Sequence, residues 1–269
     1  MATTPLPGNV SPISAELDNF HLLLLALVSL AAGTIDTIAG GGGLLTLPAL
    51  LYAGLPPHLA MATNKGQSVF GSGTALARFW RSHLFHPRRA LLSFLPALLG
   101  AALGAGLLIQ LALHRPAILN PLILALLIAV ALFMIFYRPP HSRPPLENRR
   151  LWAAIPIAFL IAAYDGFFGP GTGTFLILAY ALVFHDPLDA ASANAKLVNF
   201  CSNLASMALF AAQGWILWQV ALPMALGQMT GALIGAHITL RKGHAVVRLV
   251  TVFVCLALIA KIAWDLRHG

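Results

Sequence analysis

Four ionisable side chains interrupt otherwise apolar stretches of this chain: Asp36, Lys65, Asp165 and Lys196. Asp36 stands just ahead of a glycine run in TIDTIAGGGGLLTLP, and Asp165 stands four residues ahead of the first glycine in GPGTGTFLIL. Lys65 and Lys196 close the short stretches ATNK and ANAK. At the centre of a bilayer each such group costs about 2.5–3.5 kcal/mol on insertion scales. Buried ion pairs stabilise weakly compared with packed apolar residues. The four charges therefore point to a charged solute or a coupling ion. The structural alternative is an Asp–Lys pair inside each half that ties helices together.

The neighbours of the lysines narrow the chemistry. Lys65 is followed at helical spacing by Ser68 and Ser72, and Lys196 by Asn199 and Asn203, so each lysine shares a helix face with neutral hydrogen-bonding groups. With Asn64 and Asn194 close by, this inventory suits a small oxyanion: charge from lysine, directional donors from serine and the amides. The glycine motifs break one apolar run and start another. Backbone freed in this way at membrane depth is tolerated only where protein or a water-filled cavity satisfies it. The amides around Gly41, Gly42 and Gly43, and around Gly171, Thr172 and Gly173, would then open a helix whose positive dipole end favours an anion. A hinge without a ligand is the alternative. A nucleotide loop is not, because no Gly-Lys-Ser/Thr ending or Rossmann context is present. Asp36 and Asp165 fall near the carboxyl end of the preceding segment, where dipole and desolvation both oppose a carboxylate. They are the proton-coupling candidates.

These residues must be positioned by membrane-spanning elements. The chain has 269 residues, 59% hydrophobic and 9% charged, with a mean hydropathy of +0.83, whereas soluble domains carry about 25% charged residues. The net charge of +8 resides in short loops, as the positive-inside rule describes, and implies no nucleic-acid partner. Cys201 and Cys255 lie in apolar segments and read as small buried hydrophobes. No metal-ligand spacing, cofactor motif or nucleophile–base pair is present, so an enzyme is not expected. Residues 1–19 lack a basic leader region, and the first apolar run is expected to act as an uncleaved insertion signal.

Apolar segments fall at about 20–38, 44–55, 67–80, 90–112 and 117–137, then at 151–164, 173–184, 197–213, 216–240 and 245–264. Between them lies the basic stretch RPPHSRPPLENRR. The segments 44–55, 67–80 and 173–184 are short for a crossing, so eight to ten spans are expected, with broken or re-entrant helices at the glycine motifs. The halves match in order. Asp36, Gly40 and Gly42 align with Asp165, Gly169 and Gly171 at an offset of 129, Lys65 with Lys196 at 131, and Gly100 and Gly104 with Gly227 and Gly231 at 127. This is an internal duplication. With the basic regions 78–89, 138–150 and 241–248 in the cytoplasm, the halves enter the membrane in opposite orientations and both termini face the periplasm. The expected organisation is a tail (1–19), a membrane repeat (20–137), a cytoplasmic linker (138–150) and a second repeat (151–266). It is an all-α, polytopic, inverted-repeat architecture of the kind secondary transporters use.

The stretches GTIDTIAGGGGLLTLPALLYAGLPPHLAMATNK and YDGFFGPGTGTFLILAYALVFHDPLDAASANAK resemble the TauE/SafE family, also called the sulfite/sulfonate exporter or TSUP family. The resemblance covers residues 20–266. It implies a bacterial inner-membrane permease for sulfite, sulfonates or other small organic anions. The resulting expectation is an alternating-access secondary transporter without cofactors. Its partners are a small anionic substrate, lipid and, for coupling, protons; a homo-oligomer is compatible with the sequence. Lys65, Lys196, Asn64, Asn194, Ser68 and Asn199, with the two glycine motifs, would form the binding site. A passive anion channel and a carrier of a non-sulfur organic anion are the alternatives.

Overall fold

A computed structural model describes residues 18–136 and 151–241. Most of the expected tail, the linker and the segment at 245–264, with Cys255, lie outside the described residues. The described chain is helical. Helices α1 (Asn19–Ala39), α2 (Gly43–Tyr52), α3 (Pro57–Trp80), α4 (Pro87–His114) and α5 (Leu119–Phe136) form the first half. Helices α6 (Ala154–Phe167), α7 (Thr172–Val183), α8 (Leu188–Ala212) and α9 (218–241) form the second. Short 3₁₀ turns at Pro116–Ile118 and Leu151–Ala153 lead into α5 and α6. Among the described residues, α1, α4 and α8 are long and apolar enough to cross a bilayer. The protein is an all-α polytopic membrane protein.

Helix α4 displays how lipid and protein divide one helix. Leu91, Leu95, Leu99, Leu103 and Leu107 recur every fourth residue and are exposed. The opposite face, with Ala97, Gly100, Ala101, Gly104 and Ala105, is buried. That small-residue face lets backbones approach, which is how helices associate where apolar burial provides no drive. A Cβ added at Gly100 or Gly104 would stand 2.2 Å from Phe159 O or 1.9 Å from Ala163 O on α6. Likewise, Gly227, Gly231 and Gly235 of α9 meet Ala26, Leu30 and Thr34 of α1. By packing partners Gly100 therefore corresponds to Gly231, not to Gly227. The register is 131, the same as for the lysines and one helical turn from the sequence match.

Of the three segments that look too short to cross, two are short helices. α2 has 10 residues and α7 has 12, about 15 and 18 Å at 1.5 Å per residue, against about 30 Å of hydrocarbon. The third, 67–80, is only the second part of α3, which begins at Pro57 and has 24 residues. Similarly, α8 begins at Leu188, nine residues before the apolar segment expected at 197. Hydropathy reports contact with lipid. The early turns of α3 and α8 carry Asn64, Lys65, Asn194 and Lys196, and those turns are buried in protein instead. Helix α8 lies at the centre, packed against α3, α4, α6 and α7.

One end of the bundle is basic: Arg78, Arg81, Arg88 and Arg89 surround the α3–α4 turn. Arg89, expected as a loop charge, is buried there and paired with Asp186 of the α7–α8 turn. Its guanidinium lies 3.9 Å from the Phe184 ring centre.

The packing account separates two neighbouring glycines. Gly104→Ala should lower stability by about 1–3 kcal/mol or more, because the helices must move apart. Gly106 has open space around a Cβ, so Gly106→Ala should stabilise by up to about 1 kcal/mol. Thermal unfolding midpoints in detergent check this, and equal midpoints for the two variants would contradict it.

Candidate functional site

The two helix breaks cross each other. Gly40 has φ of +81° and Gly169 has φ of +97°, a region where glycine carries no Cβ penalty. Gly40 terminates α1 as a left-handed cap, its amide bonded to Asp36 O. A Cβ on Gly40 would lie 2.1 Å from Gly173 C, and one on Gly173 would lie 2.4 Å from Gly40 Cα. The crossing is backbone on backbone, and only glycine fits on both sides of it.

Side chains of the second half donate to the carbonyls at the end of α1. Lys196 Nζ donates to Asp36 O, Ser192 Oγ to Thr37 O at 2.8 Å, and Thr174 Oγ1 to Ala39 O at 2.8 Å. A cation and two hydroxyls at a helix carboxyl end also complement its dipole.

The four charges pair across the halves and not within them. Lys65 Nζ of α3 is 2.7 Å from Asp165 Oδ1 of α6. Lys196 Nζ of α8 is 2.8 Å from Asp36 Oδ2 of α1. An Asp–Lys pair inside each half is thus not what forms. All four groups are buried or nearly so, and their formal charges sum to zero.

The two pairs differ in how tightly the carboxylate is held. Asp165 also accepts from Thr172 Oγ1 at 2.9 Å and from Ser202 Oγ, while Lys65 Nζ donates to Asn203 Oδ1 at 3.0 Å. Among the described residues, Asp36 receives, besides Lys196, only the Gly42 amide at 3.3 Å. In the 129 and 131 registers, Thr172 and Ser202 correspond to Gly43 and Gly71, so the first half lacks both hydroxyls. The side chain of Asp165 is 3% exposed and that of Asp36 is 15% exposed.

Both carboxylates stand where the sequence places an anion. The Gly42 amide at the start of α2 points to Asp36, and the Thr172 hydroxyl at the start of α7 points to Asp165. Asp36 is the resident anion of the α2 amino end, and Asp165 is held at the start of α7 by a side-chain hydroxyl.

Around this crossing lies a small polar cavity of about 20 Å³, room for about one water. Of the residues expected from sequence, Asp36, Gly43, Asn64, Lys65, Ser68, Asp165, Thr172, Gly173 and Asn199 line it. Lys196 does not; it is fully buried behind Asp36. Gly41, Gly42 and Gly171 shape the breaks without lining the cavity. Asn194 is engaged elsewhere: it accepts from His86 N at 2.8 Å and donates to Leu84 O and Ala190 O. It ties the start of α4 to α8, as Thr63 ties the start of α9 to α3 by accepting from Leu217 N at 3.1 Å. Sequence reasoning did not assign Gly40, Gly169, Asn203 or Gln228 to the site. Asn203 had a signal, since it continues the Lys196–Asn199 face.

The polar wall has a direction. Asn64 Oδ1 accepts from Thr46 Oγ1 at 2.6 Å and from Gln67 Nε2 at 3.0 Å. Asn199 Oδ1 accepts from Asn203 Nδ2 at 3.2 Å. Both amides are thereby held with their carbonyl oxygens occupied. Among the described residues their NH₂ groups have no protein partner, so the wall offers donors.

An all-α, multi-pass membrane protein with a charged, donor-rich cavity at the crossing of two helix breaks has the construction of a membrane transporter. The chain belongs to the TauE/SafE family: the profile described as "Sulfite exporter TauE/SafE" matches residues 25–262. It is 38% identical over 246 residues to a Haemophilus influenzae protein named "Probable membrane transporter protein", covering 91% of this chain and 95% of that one. A Sinorhizobium protein named "Probable membrane transporter protein ORF9" is 37% identical, with 93% and 95% covered. Escherichia coli YfcA, also named a probable membrane transporter protein, is 36% identical, with 91% and 90% covered. No solved structure matches the chain.

Cross-pairing makes residues from different halves energetically coupled. Lys65→Met leaves Asp165 buried without its cation, at a cost of about 3–5 kcal/mol. Adding Asp165→Asn should recover part of it, giving a coupling of about 1–3 kcal/mol in a double-mutant cycle. Unfolding measurements on the four proteins check this; additive effects would contradict the pairing.

Proposed function

We propose that the protein is a proton-coupled, alternating-access secondary transporter of a small oxyanion, with sulfite or an organosulfonate as the substrate class. The two halves act as inverted repeats in the inner membrane, the basic end of the bundle facing the cytoplasm and both termini the periplasm. Support for the inversion comes from helix direction. α3 and its counterpart α8 run in opposite directions, since Thr63 near the start of α3 bonds to Leu217 after the end of α8 and Asn194 near the start of α8 bonds to His86 after the end of α3, while each half supplies the partner for the other's buried charges.

The observation that carries the anion reading is the polarity of what the cavity leaves over: amide N–H groups of Asn64 and Asn199 beside the Lys65 ammonium. Donors and a cation recognise anionic oxygens.

The coupling follows from charge. The lysines are already balanced by Asp36 and Asp165, so an added anion would leave a desolvated site with net negative charge. A proton on one aspartate removes that charge and frees its helix amino end for the substrate. Asp36 is the group for this role because, among the described residues, only one amide besides Lys196 holds it, whereas Asp165 is held by Lys65, Thr172 and Ser202. The substrate oxygens then replace the carboxylate they resemble.

In proteoliposomes, a pH gradient with the acid side outside should drive accumulation of radiolabelled methanesulfonate or sulfite. Asp36→Asn imitates the protonated acid. It should retain anion exchange yet lower gradient-driven accumulation by about tenfold or more. Full proton-driven accumulation in Asp36→Asn would remove Asp36 from the coupling. A current that reverses at the anion's own equilibrium potential with no proton component would indicate a passive channel instead.

A further inference from the structure

Gln228 is the polar side chain on the cavity that neither the charge pairs nor the amide network uses. It sits inside α9, 3% exposed, and it lines the cavity. Its Oε1 is buried without a hydrogen-bond partner, and among the described residues Nε2 has none either. Asn64 and Asn199 are anchored through their carbonyl oxygens; this amide is anchored at neither end.

Two glycines from two other helices make room for it. A Cβ on Gly33 of α1 would lie 2.4 Å from Gln228 O, and a Cβ on Gly71 of α3 would lie 2.1 Å from Gln228 Cγ. The side chain thus crosses α3 at Gly71 to reach the cavity. Gly71 is the position that corresponds to Ser202, whose hydroxyl donates to Asp165 on the other side. The first half has no hydroxyl there, and the second half inserts an amide in its place. The position corresponding to Gln228 in the 131 register is Ala97, so this amide is present on one side of the site only.

We propose that Gln228 is a specificity-determining residue that turns its side-chain N–H onto an oxygen of the bound oxyanion beside Asp36. This rests on the anion-transport reading above. A buried, unanchored amide adds nothing to folding, since its polar atoms are unpaired in the protein. An anionic oxygen gives its N–H a partner. The aliphatic part of the side chain fills the groove that Gly71 leaves, and the amide alone supplies the recognition.

The test uses the full chain in proteoliposomes, with sulfite as the transported probe and detergent thermal unfolding as the second readout. Gln228→Met keeps the length and removes the amide. It should raise the KM for sulfite about tenfold or more with a much smaller change in kcat, while the unfolding midpoint stays level or rises. Gln228→Glu keeps the shape and places an acid in the cavity; it should weaken sulfite uptake further at neutral pH and recover as the pH falls. An unchanged KM in Gln228→Met overturns the proposal, and so does a lowered midpoint in both variants, which would make the amide structural. Absence of saturable sulfite uptake by the wild-type chain overturns the transport reading and this inference with it. Wild-type uptake that Gln228→Met leaves intact overturns this inference alone.

Discussion

The structure depends on an exchange of opposite charges between its halves at the point where two interrupted helices cross. Each half carries an aspartate at the end of one helix and a lysine within another, and neither aspartate is neutralised by its own half. Buried carboxylates and ammonium groups are tolerated only when paired and hydrogen-bonded. Folding of each half in lipid is therefore tied to the other. The glycines are the condition for this exchange. A Cβ at Gly40 or Gly173 would separate the breaks, and a Cβ at Gly169 would stand 3.1 Å from Lys65 Nζ. Helix packing follows the same rule, since α4 lies on α6 and α9 on α1 through small residues.

The exchange is two-fold in plan and unequal in detail. Thr172 and Ser202 hold Asp165, while Gly43 and Gly71 stand in the corresponding places near Asp36. One pair serves as a fixed anchor and the other can be opened at lower cost. The proposed cycle needs that difference, because a site in which both pairs were locked could not exchange a carboxylate for a substrate, and one in which both were loose would lose the crossing. The donors of Asn64 and Asn199 stand ready in either case, held by bonds to their carbonyl oxygens.

Much of this was legible in the sequence because a charge or a glycine run inside an apolar stretch is conspicuous. Asp36, Asp165, Lys65 and both breaks were visible for that reason, and all of them reach the cavity. The pairing was not visible, since spacing along a chain does not say which half a lysine will face. Asn194 was assigned to the site because it stands close to Lys196; in space it holds the place of Thr63 and ties α4 to α8. The starts of α3 and α8 were missed because their turns face protein, which hydropathy does not register. Arg89 was counted with the loop charges because it follows Arg88, yet it turns inward to Asp186. Gln228 stood alone in a glycine-spaced helix. Its one signal was Gly71, a glycine where the other half has Ser202.

The central claim is that an anion enters this charge-balanced site together with a proton. It is tested most directly by calorimetric titration of the purified protein with methanesulfonate, which does not itself titrate near neutral pH. Buffers of different ionisation enthalpy then report the protons exchanged on binding. The account predicts uptake of about one proton per anion bound, by linkage between the substrate and a carboxylate that must be neutralised. Anion binding with no proton uptake, equal in all buffers, would contradict it.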